Sequence, residues 1–509
     1  MDAYSAFKPL RNKLRQFTTE SLIELCTVTL HDLKSFPADK VRLYPPWFVL
    51  ALLKWAILYS DPTHPRSRNA TNQDFIQLIR MVHEVFDAAP VPRGPGALLI
   101  LLKNMALQQL WLQDRLAASD FGRQIVLFDE LPRIPTIKNQ FLTVTGLDMA
   151  TFMELTSVLS SRFLVDNSTY IDVAYFQPLG YPKETIKSFL SMFSLDTKDI
   201  KHFLEREESR IKSFENRLYE QTPLKKWPLL MLDGGNRFVC YSPGLLFFAL
   251  STFVYDKLKE HFPESFSQEF GKVFESYISK GLRYAGIEFL DETALKQKYP
   301  NSFVVDFQIT CDDAVVLIES KAIELSPHAR VSGDPTVLSN NLNDSVTKAI
   351  EQGFVMATQL LNAQRLNAQD LTRKDIFLLV VTYKDLFIGN GNDFLSSTPA
   401  KEEIERFIIE RHLDPHALDF DHIFFLSSHE FERLIYVAKQ EELDLSVIVK
   451  RVLEANVAEK KLQFGQHLGD LYKSTAPDFV TLPYKAVTAG ITRKLSPTAP
   501  ETACGPDRL

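Results

Sequence analysis

The stretch from Phe303 to Lys321 constrains the fold most, because only three residues separate two apolar runs there. The runs Phe303–Thr310 and Ala314–Ser320 are rich in Val, Ile and Phe, which predicts a β-hairpin. A two-residue turn centred on Asp312 and Asp313 would fix the register of the two strands. The position of every other side chain in the stretch then follows from that register.

In this register three charged side chains converge at the open end of the hairpin. Asp306 falls directly opposite Glu319, and opposed residues lie roughly 5 Å apart at Cβ. Period-two alternation puts Lys321 on the same face as Glu319. Two opposed carboxylates in an apolar hairpin repel each other. The pattern indicates either a site for a divalent cation, or a strand-end ion pair between Lys321 and one acid that leaves the other carboxylate unpaired.

These residues resemble the PD-(D/E)XK nuclease superfamily, whose core is a metal-binding Asp on one strand and (Asp/Glu)-X-Lys on the next. Asp306 matches the first element and Glu319-Ser320-Lys321 the second, while Val305 stands where members often have Pro. The resemblance implies hydrolysis of nucleic-acid phosphodiester bonds with Mg²⁺, for which Mn²⁺ is expected to substitute. It also implies that Asp306, Glu319 and the Ser320 carbonyl hold the metal and that Lys321 is catalytic.

The helices predicted on either side of the hairpin carry two further candidates. Glu275 lies at the edge of an apolar helical stripe. Members of the superfamily commonly place a Glu here that reaches the metal, so the resemblance implies a catalytic and metal-binding role; the alternative is a solvated helix-edge glutamate. Gln352 lies on the following helix, where members often carry a Gln or basic residue that orients substrate or water. Its alternative is a surface position beside an apolar stripe.

Nucleic-acid binding would require a local basic patch, because the net charge of the chain is −7. The candidates are Arg330 in the polar loop 326–343, Lys348 one helical turn before Gln352, and Lys225 and Lys226 at a domain junction. Each of these residues has the alternative of being a solvated surface cation. The expected partner is nucleic acid, with DNA favoured over RNA.

The chain of 509 residues is long enough for two or three domains. Residues 1–220 have apolar residues at helical spacing, which predicts an all-helical domain. Residues 221–472 show mixed patterns, and the order α-β-β-β-α-β between 267 and 383 is that of the restriction-endonuclease-like fold. Residues 473–509 contain several prolines and are expected to form an extended or disordered tail. The predicted class is therefore an N-terminal helical domain followed by a mixed-sheet nuclease domain.

Several single elements are also predicted. The buried run Ile376–Tyr383 indicates an internal strand, expected to be parallel to its neighbours. Weaker patterns predict strands at Ile287–Leu290 and His422–Ser427. The apolar run Trp47–Tyr59 is too short to span a bilayer and is interrupted by Lys54, so it predicts a buried helix.

Composition and missing motifs narrow the functional classes. The scattered cysteines form no CxxC pair and no disulfide framework, and no signal-peptide h-region is seen, so we expect a cytoplasmic protein without membrane association. Walker A, GxSxG and HExxH motifs do not occur. By analogy of layout we expect a nuclease of restriction or anti-phage defence, whose helical half binds a protein trigger or forms homo-oligomers. The alternative is a catalytically silent nucleic-acid-binding or assembly protein with a nuclease-like fold.

Overall fold

The computed structural model describes residues 2–112, 117–132, 136–166, 168–300, 302–366 and 375–496. The fold is α+β, mostly helical with two small mixed sheets. The helices are α1 (Ala3–Leu14), α2 (Thr19–Asp32), α3 (Ala38–Leu43), α4 (Pro46–Tyr59), α5 (Asn72–Asp87), α6 (Ala97–Gln109), α7 (Ala118–Ile125), α8 (Thr136–Thr145), α9 (Met149–Leu164), α10 (Lys183–Ser191), α11 (Thr197–Arg210), α12 (Phe214–Arg217), α13 (Pro243–His261), α14 (Pro263–Tyr284), α15 (Glu292–Lys298), α16 (Pro327–Val331), α17 (Pro335–Leu342), α18 (Lys348–Leu366), α19 (Gly391–Ser397), α20 (Ala400–Glu410), α21 (Ser428–Gln440), α22 (Leu445–Ala458), α23 (Phe464–Leu471) and α24 (Asp478–Leu495). The strands are β1 (Tyr170–Asp172), β2 (Ser194–Leu195), β3 (Leu229–Leu232), β4 (Arg237–Cys240), β5 (Leu290–Asp291), β6 (Phe307–Thr310), β7 (Ala314–Lys321), β8 (Asp375–Thr382) and β9 (Ile423–Ser427).

Helix α4 is the buried helix predicted at Trp47–Tyr59. It packs against α2, α5 and α11, and the ammonium group of its buried Lys54 donates to Glu220 Oε2 at 3.2 Å. Among the described residues, one helical stretch, Lys40–Tyr59, is long and apolar enough by length and composition to cross a membrane. Half of its apolar window is buried inside the protein, as in a core helix.

The smaller sheet joins segments that lie on both sides of residue 220. Its strand order is β1-β4-β3-β2, so β1 and β2 from the first part of the chain pair with β4 and β3 from the second. Residues 1–220 are therefore not wholly helical, contrary to prediction. Strands β1 and β2 were not predicted because they are only three and two residues long.

The predicted extended or disordered tail is wrong for residues 478–495, which form α24. This helix packs against α7 and α9 and buries Val480 and Ile491. Pro483 lies inside the helix, so burial of an apolar face outweighs the local cost of a proline. Residues 497–509 of the predicted tail lie outside the described part of the chain.

Contact between α24 and α7 requires a glycine. A Cβ atom on Gly122 would lie 1.8 Å from the carbonyl oxygen of Val480, a distance that no side chain tolerates. The absent side chain lets the backbones of the two helices approach closely. The ring of Phe121 then packs against that of Tyr484, with centroids 5.0 Å apart.

The larger sheet has the order β5-β6-β7-β8-β9. The pairs β5–β6 and β6–β7 are antiparallel, whereas β7–β8 and β8–β9 are parallel. The predicted register of the hairpin is confirmed, because Ile309 faces Val316 and the amide of Cys311 donates to the carbonyl of Ala314 at 2.9 Å. The prediction of an internal parallel strand at β8 is also confirmed.

Helices cover both faces of this sheet. Val316 and Ile318 of β7 pack into the core that includes α14, α21 and α22, whereas Val315 and Leu317 pack into the core that includes α18. Two sequence predictions nearby need correction. The first strand is β5 at Leu290–Asp291 rather than Ile287–Leu290, and the polar loop 326–343 contains the short helices α16 and α17.

Candidate active site

Asp306 and Glu319 lie side by side at the open end of the hairpin. The backbone amide of Asp306 donates to Glu319 Oε2 at 3.1 Å. In return, the amide and the hydroxyl of Ser320 donate to Asp306 Oδ2 at 2.7 and 2.5 Å. Each carboxylate is thus oriented by a backbone amide of the opposite side of the hairpin.

The ammonium group of Lys321 joins the hairpin to α18. It donates to Glu319 Oε1 at 2.6 Å and to Gln352 Oε1 at 3.2 Å. The amide nitrogen of Gln352 donates in turn to the carbonyl oxygen of Val304 at 3.0 Å. Gln352 is therefore held between the end of β7 and the segment that precedes β6, and its carbonyl oxygen is directed at Lys321.

A glycine sets the distance between α18 and the sheet. A Cβ atom on Gly353 would lie 2.6 Å from Leu378 Cδ2 in β8. Without it, the helix lies close to the sheet, and the neighbouring Gln352 reaches the end of β7. The structure therefore brings together Asp306, Glu319, Ser320, Lys321 and Gln352 of the residues that the sequence singles out.

The two carboxylates of the site, Asp306 and Glu319, carry more negative charge than the single ammonium of Lys321 neutralises. The pKa of Glu319 is raised to about 7, first by burial and then by the charge of Asp306, while Lys321 opposes the shift. Burial also raises the pKa of Asp306, which the hydrogen bonds from Ser320 partly oppose. The side chain of Glu319 is 4% exposed and that of Lys321 is 18% exposed, so the ammonium is the group nearer to solvent. A cation entering from solvent would relieve this carboxylate repulsion.

Glu275 approaches the same site from α14. It is half-buried, and its pKa is raised to about 7 by burial, then by the charge of Asp306, and then by Glu292 and Asp291. Its charge therefore interacts with that of Asp306 across the end of the sheet. Its predicted role as a metal ligand stays a prediction.

Sequence reasoning missed Asp291 and Glu292 as members of this acidic region. Asp291 ends β5 and is paired with Phe307 in β6, which places it next to Asp306. Glu292 forms an ion pair with Lys296 at 2.6 Å. The signal was available in the sequence, because an acidic pair directly follows the predicted strand 287–290.

The carboxylates of this site suit an ion such as Mg²⁺, which keeps several water ligands, better than an ion that takes all of its ligands from the protein. Among the described residues, no group of three or more His, Cys, Asp or Glu side chains lies in a metal-binding arrangement. Asp306 and Glu319 supply two hard carboxylates, and both hydrogen bonds from Ser320 use the same oxygen of Asp306. Mg²⁺ typically binds through one or two carboxylates and keeps several waters. Two adjacent carboxylates with raised pKa values fit that requirement.

The basic residues predicted to contact nucleic acid lie in different places. Lys348 is exposed at the start of α18, one turn before Gln352. Lys226 is exposed and pairs with Glu260 at 2.7 Å. Lys225 and Arg330 are half-buried and line a cleft outside the site formed by Asp306, Glu319 and Lys321, which we call the carboxylate site. Of these cations, Lys348 is the one on the helix that carries a candidate active-site residue.

A scan against protein-family models, a search of characterised proteins and a search of solved structures find no match to this chain. The resemblance to the PD-(D/E)XK superfamily therefore rests on the hairpin, on its flanking helices and on the side chains that they bring together.

Proposed function

We propose that the protein is a metal-dependent nuclease that hydrolyses phosphodiester bonds of nucleic acid, with DNA as the favoured substrate. The observation that carries this proposal is the contact of Asp306, Glu319 and Lys321 at the end of an antiparallel hairpin. The order α14, β5, β6, β7, α18, β8 supports a restriction-endonuclease-like fold, with α15, α16 and α17 as insertions. The proposed setting is restriction or anti-phage defence.

Asp306 and Glu319 would hold Mg²⁺, and the Ser320 carbonyl and Glu275 are further candidate ligands. The bound ion would supply positive charge that activates the attacking water and stabilises the phosphate. Lys321 would place its ammonium against a phosphate oxygen as negative charge develops there. Gln352 would act as a positioning residue, because its Oε1 holds Lys321 while its Nε2 is anchored on Val304.

One observation favours the alternative of a catalytically silent protein with a nuclease-like fold. The Lys321 ammonium contacts Glu319 Oε1 at 2.6 Å, as a simple counter-charge would. In that case the ion pair stabilises the end of the hairpin and no metal is needed. Metal-dependent cleavage of nucleic acid separates the two proposals.

The test combines calorimetry with a cleavage assay. We expect the full-length protein to bind Mg²⁺ or Mn²⁺ and to cut duplex DNA, single-stranded DNA or tRNA when the metal is present. The variant Asp306→Ala/Glu319→Ala should lose both properties. The matched control Asp312→Ala/Asp313→Ala removes two carboxylates from the turn at the other end of the same hairpin, and it should keep both. Equal metal affinity of the two variants would contradict the proposal.

A further inference from the structure

A cleft of about 320 Å³ lies outside the carboxylate site, where the first part of the chain meets the larger sheet. Its floor includes residues that follow β7, β8 and β9, the strands that run parallel to each other. Ligands of open α/β sheets commonly bind at the carboxyl ends of such strands. Its wall includes Trp111, Lys225, Phe248, Arg330, Tyr383 and Lys384.

Cations surround a single carboxylate in this cleft. Glu324 accepts from Lys259 at 2.9 Å, from Lys384 at 2.9 Å and from Arg330 at 2.8 Å. Burial would raise the pKa of Glu324, but the charges of Lys384, Arg330 and Lys259 outweigh burial and hold it below its usual range. Lys384 has a second carboxylate partner, Asp256, at 2.6 Å.

Lys225 adds a further positive charge without an acidic contact. Its ammonium donates to Gln221 Oε1 at 2.6 Å, and within the described residues it forms no ion pair. Burial and the charges of Arg330 and Lys384 lower its pKa to about 7. In its protonated form Lys225 brings the group of Lys225, Lys259, Arg330 and Lys384 to four positive charges against the two of Asp256 and Glu324, and in its neutral form to three. We call this group, with the cleft that it lines, the cation cleft.

Asp120 and Asp385 add negative charge along the wall, so the positive excess is confined to the part of the cleft around Lys225, Arg330 and Lys384. Asp120 and Arg123 pair with each other at 3.3 Å, and Arg123 also binds the buried Glu432. Asp385 accepts from the side-chain amide of Gln463 at 3.2 Å. A concave site with excess positive charge and low-dielectric walls attracts anions more strongly than the same charges on a flat surface.

Aromatic rings lie next to the cations. The rings of Trp111 and Phe248 pack with centroids 4.6 Å apart, and both side chains are half-buried at the cleft. The ammonium of Lys225 lies 5.4 Å from the centroid of Phe248. Phe387 also lines the cleft and has a backbone φ of 55°, a strained value for a bulky residue that often marks a functional position.

We propose that the cation cleft binds a free nucleoside phosphate. The phosphate would be bound by Lys225, Arg330 and Lys384, and the base would stack on Trp111 or Phe248. A phosphate ester carries close to two negative charges at neutral pH, and this charge would favour the protonated form of Lys225. The volume lies at the lower end of ligand pockets, about 300–1,000 Å³, and so suits a small ligand.

This inference does not depend on the nuclease proposal, because the two sites share no side chain. The backbone joins them at the end of β7, where the amide of Tyr383 in the cleft wall also donates to the carbonyl oxygen of Lys321 at 3.2 Å. Glu319 and Lys321 belong to the carboxylate site, and Glu324 follows three residues later in the cation cleft.

The test is calorimetry of the full-length protein with AMP, GMP, CMP and UMP in the absence of divalent metal. We expect at least one of these nucleotides to bind. Adenosine, ribose 5-phosphate and inorganic phosphate should bind at least about tenfold more weakly than the best nucleotide, because each lacks one half of the contacts. Lys225→Gln should weaken nucleotide binding by about tenfold, since it removes a charge-assisted contact.

The matched control is Lys226→Gln, which removes the neighbouring exposed lysine and should change affinity by less than about twofold. If Lys225→Gln does not fold, Phe248→Leu carries the test and should weaken nucleotide but not phosphate binding. The proposal is overturned if no mononucleotide binds, if inorganic phosphate binds as tightly as the best nucleotide, or if the variants at 225 and 226 behave alike. It is also overturned if only a 5′-phosphorylated oligonucleotide binds, because the cleft would then hold the 5′ end of a nucleic-acid chain and not a free nucleotide.

Discussion

The carboxylate site and the cation cleft lie at the same end of β7 but have opposite charge imbalances. In the carboxylate site, Asp306, Glu319 and Glu275 have raised pKa values, and Lys321 is the single cation in hydrogen-bond contact with Glu319 among the described residues. In the cation cleft the pKa of Glu324 is lowered and the pKa of Lys225 is lowered to about 7. The two regions differ in the number of charges of each sign, with acids in excess in the carboxylate site and cations in excess around Glu324.

Direct ion pairs are a poor guide to what a polar site binds. Both regions contain short Lys–Glu contacts, at 2.6 Å for Lys321 and Glu319 and 2.9 Å for Lys384 and Glu324. What differs is the charge that remains after these contacts are made, which is negative in one region and positive in the other. A residual buried charge is costly, and a bound ion of opposite sign relieves it. The two regions should therefore bind ligands of opposite charge.

The largest expected effect is on stability, from removing the carboxylate at the centre of the cation cleft. Glu324→Gln should lower the free energy of unfolding by about 3–5 kcal/mol, because it leaves three cations without their shared partner. Chemical denaturation at pH 7 measures the change. Added phosphate should restore more stability to this variant than to the wild type.

The control for Glu324→Gln is Glu260→Gln, which breaks the exposed pair with Lys226 and should cost less than about 1 kcal/mol. A loss at position 324 no greater than that at 260 would mean that the cleft has no real excess of positive charge. The contrast between the two regions would then disappear.

The next effect is on rate. Lys321→Ala should lower nucleic-acid cleavage by about 10²–10³-fold, because the ammonium acts mainly as charge develops on the phosphate. Metal binding, measured by calorimetry, should persist, since Asp306 and Glu319 remain. If the variant cuts at a near wild-type rate, Lys321 serves only as the counter-charge of Glu319.

The hairpin could be predicted from sequence because its constraint is local. The two-residue turn at Asp312 and Asp313 fixes the register, and the register alone brings Asp306 opposite Glu319. Glu275 and Gln352 were predicted from the resemblance to a superfamily that often has functional residues on the two flanking helices; Gln352 does contact Lys321, whereas the role of Glu275 stays a prediction. The hairpin partners are close together in the sequence, and the two helix residues were identified from the known motif.

The cation cleft could not be predicted, because its residues come from distant parts of the chain. Lys225, Glu324 and Lys384 follow no shared period, and only the packing of the first part against the sheet brings them together. Arg330 and Lys225 were each identified as cations, but their partners were not. Likewise α24 was missed, because Pro483 suggested a break and the buried contact with Gly122 lies some 360 residues away in the chain.

A smaller effect concerns the pH dependence of stability in the cation cleft. The pKa of Lys225 is lowered from 10.5 to about 7 in the folded protein, so between these values the unfolded chain binds more protons. The contribution of this residue to stability should therefore rise as the pH increases from 7 towards 10, by about 2 kcal/mol, which is about half of the value for the full shift because solvent screens this half-buried group. Lys225→Gln should remove this part of the slope, and Lys226→Gln should retain it. Denaturation curves at several pH values test the difference, and parallel slopes for the two variants would contradict it.

The smallest expected effect is on nucleic-acid affinity at the rim of the carboxylate site. Lys348 is exposed on α18, one turn before Gln352, whose Oε1 contacts Lys321 at 3.2 Å. Residues four apart lie on the same face of a helix, so Lys348 can contact a phosphate next to the one at Lys321. Lys348→Gln should weaken DNA binding equally for different sequences and reduce the slope of log affinity against log salt by about 1. Lys8→Gln, on the exposed surface of α1, is the control that should leave the slope unchanged. If the two variants have the same slope, the DNA backbone does not pass along α18. The carboxylate site, which has an excess of negative charge, would then have no positively charged DNA-binding surface at Lys348.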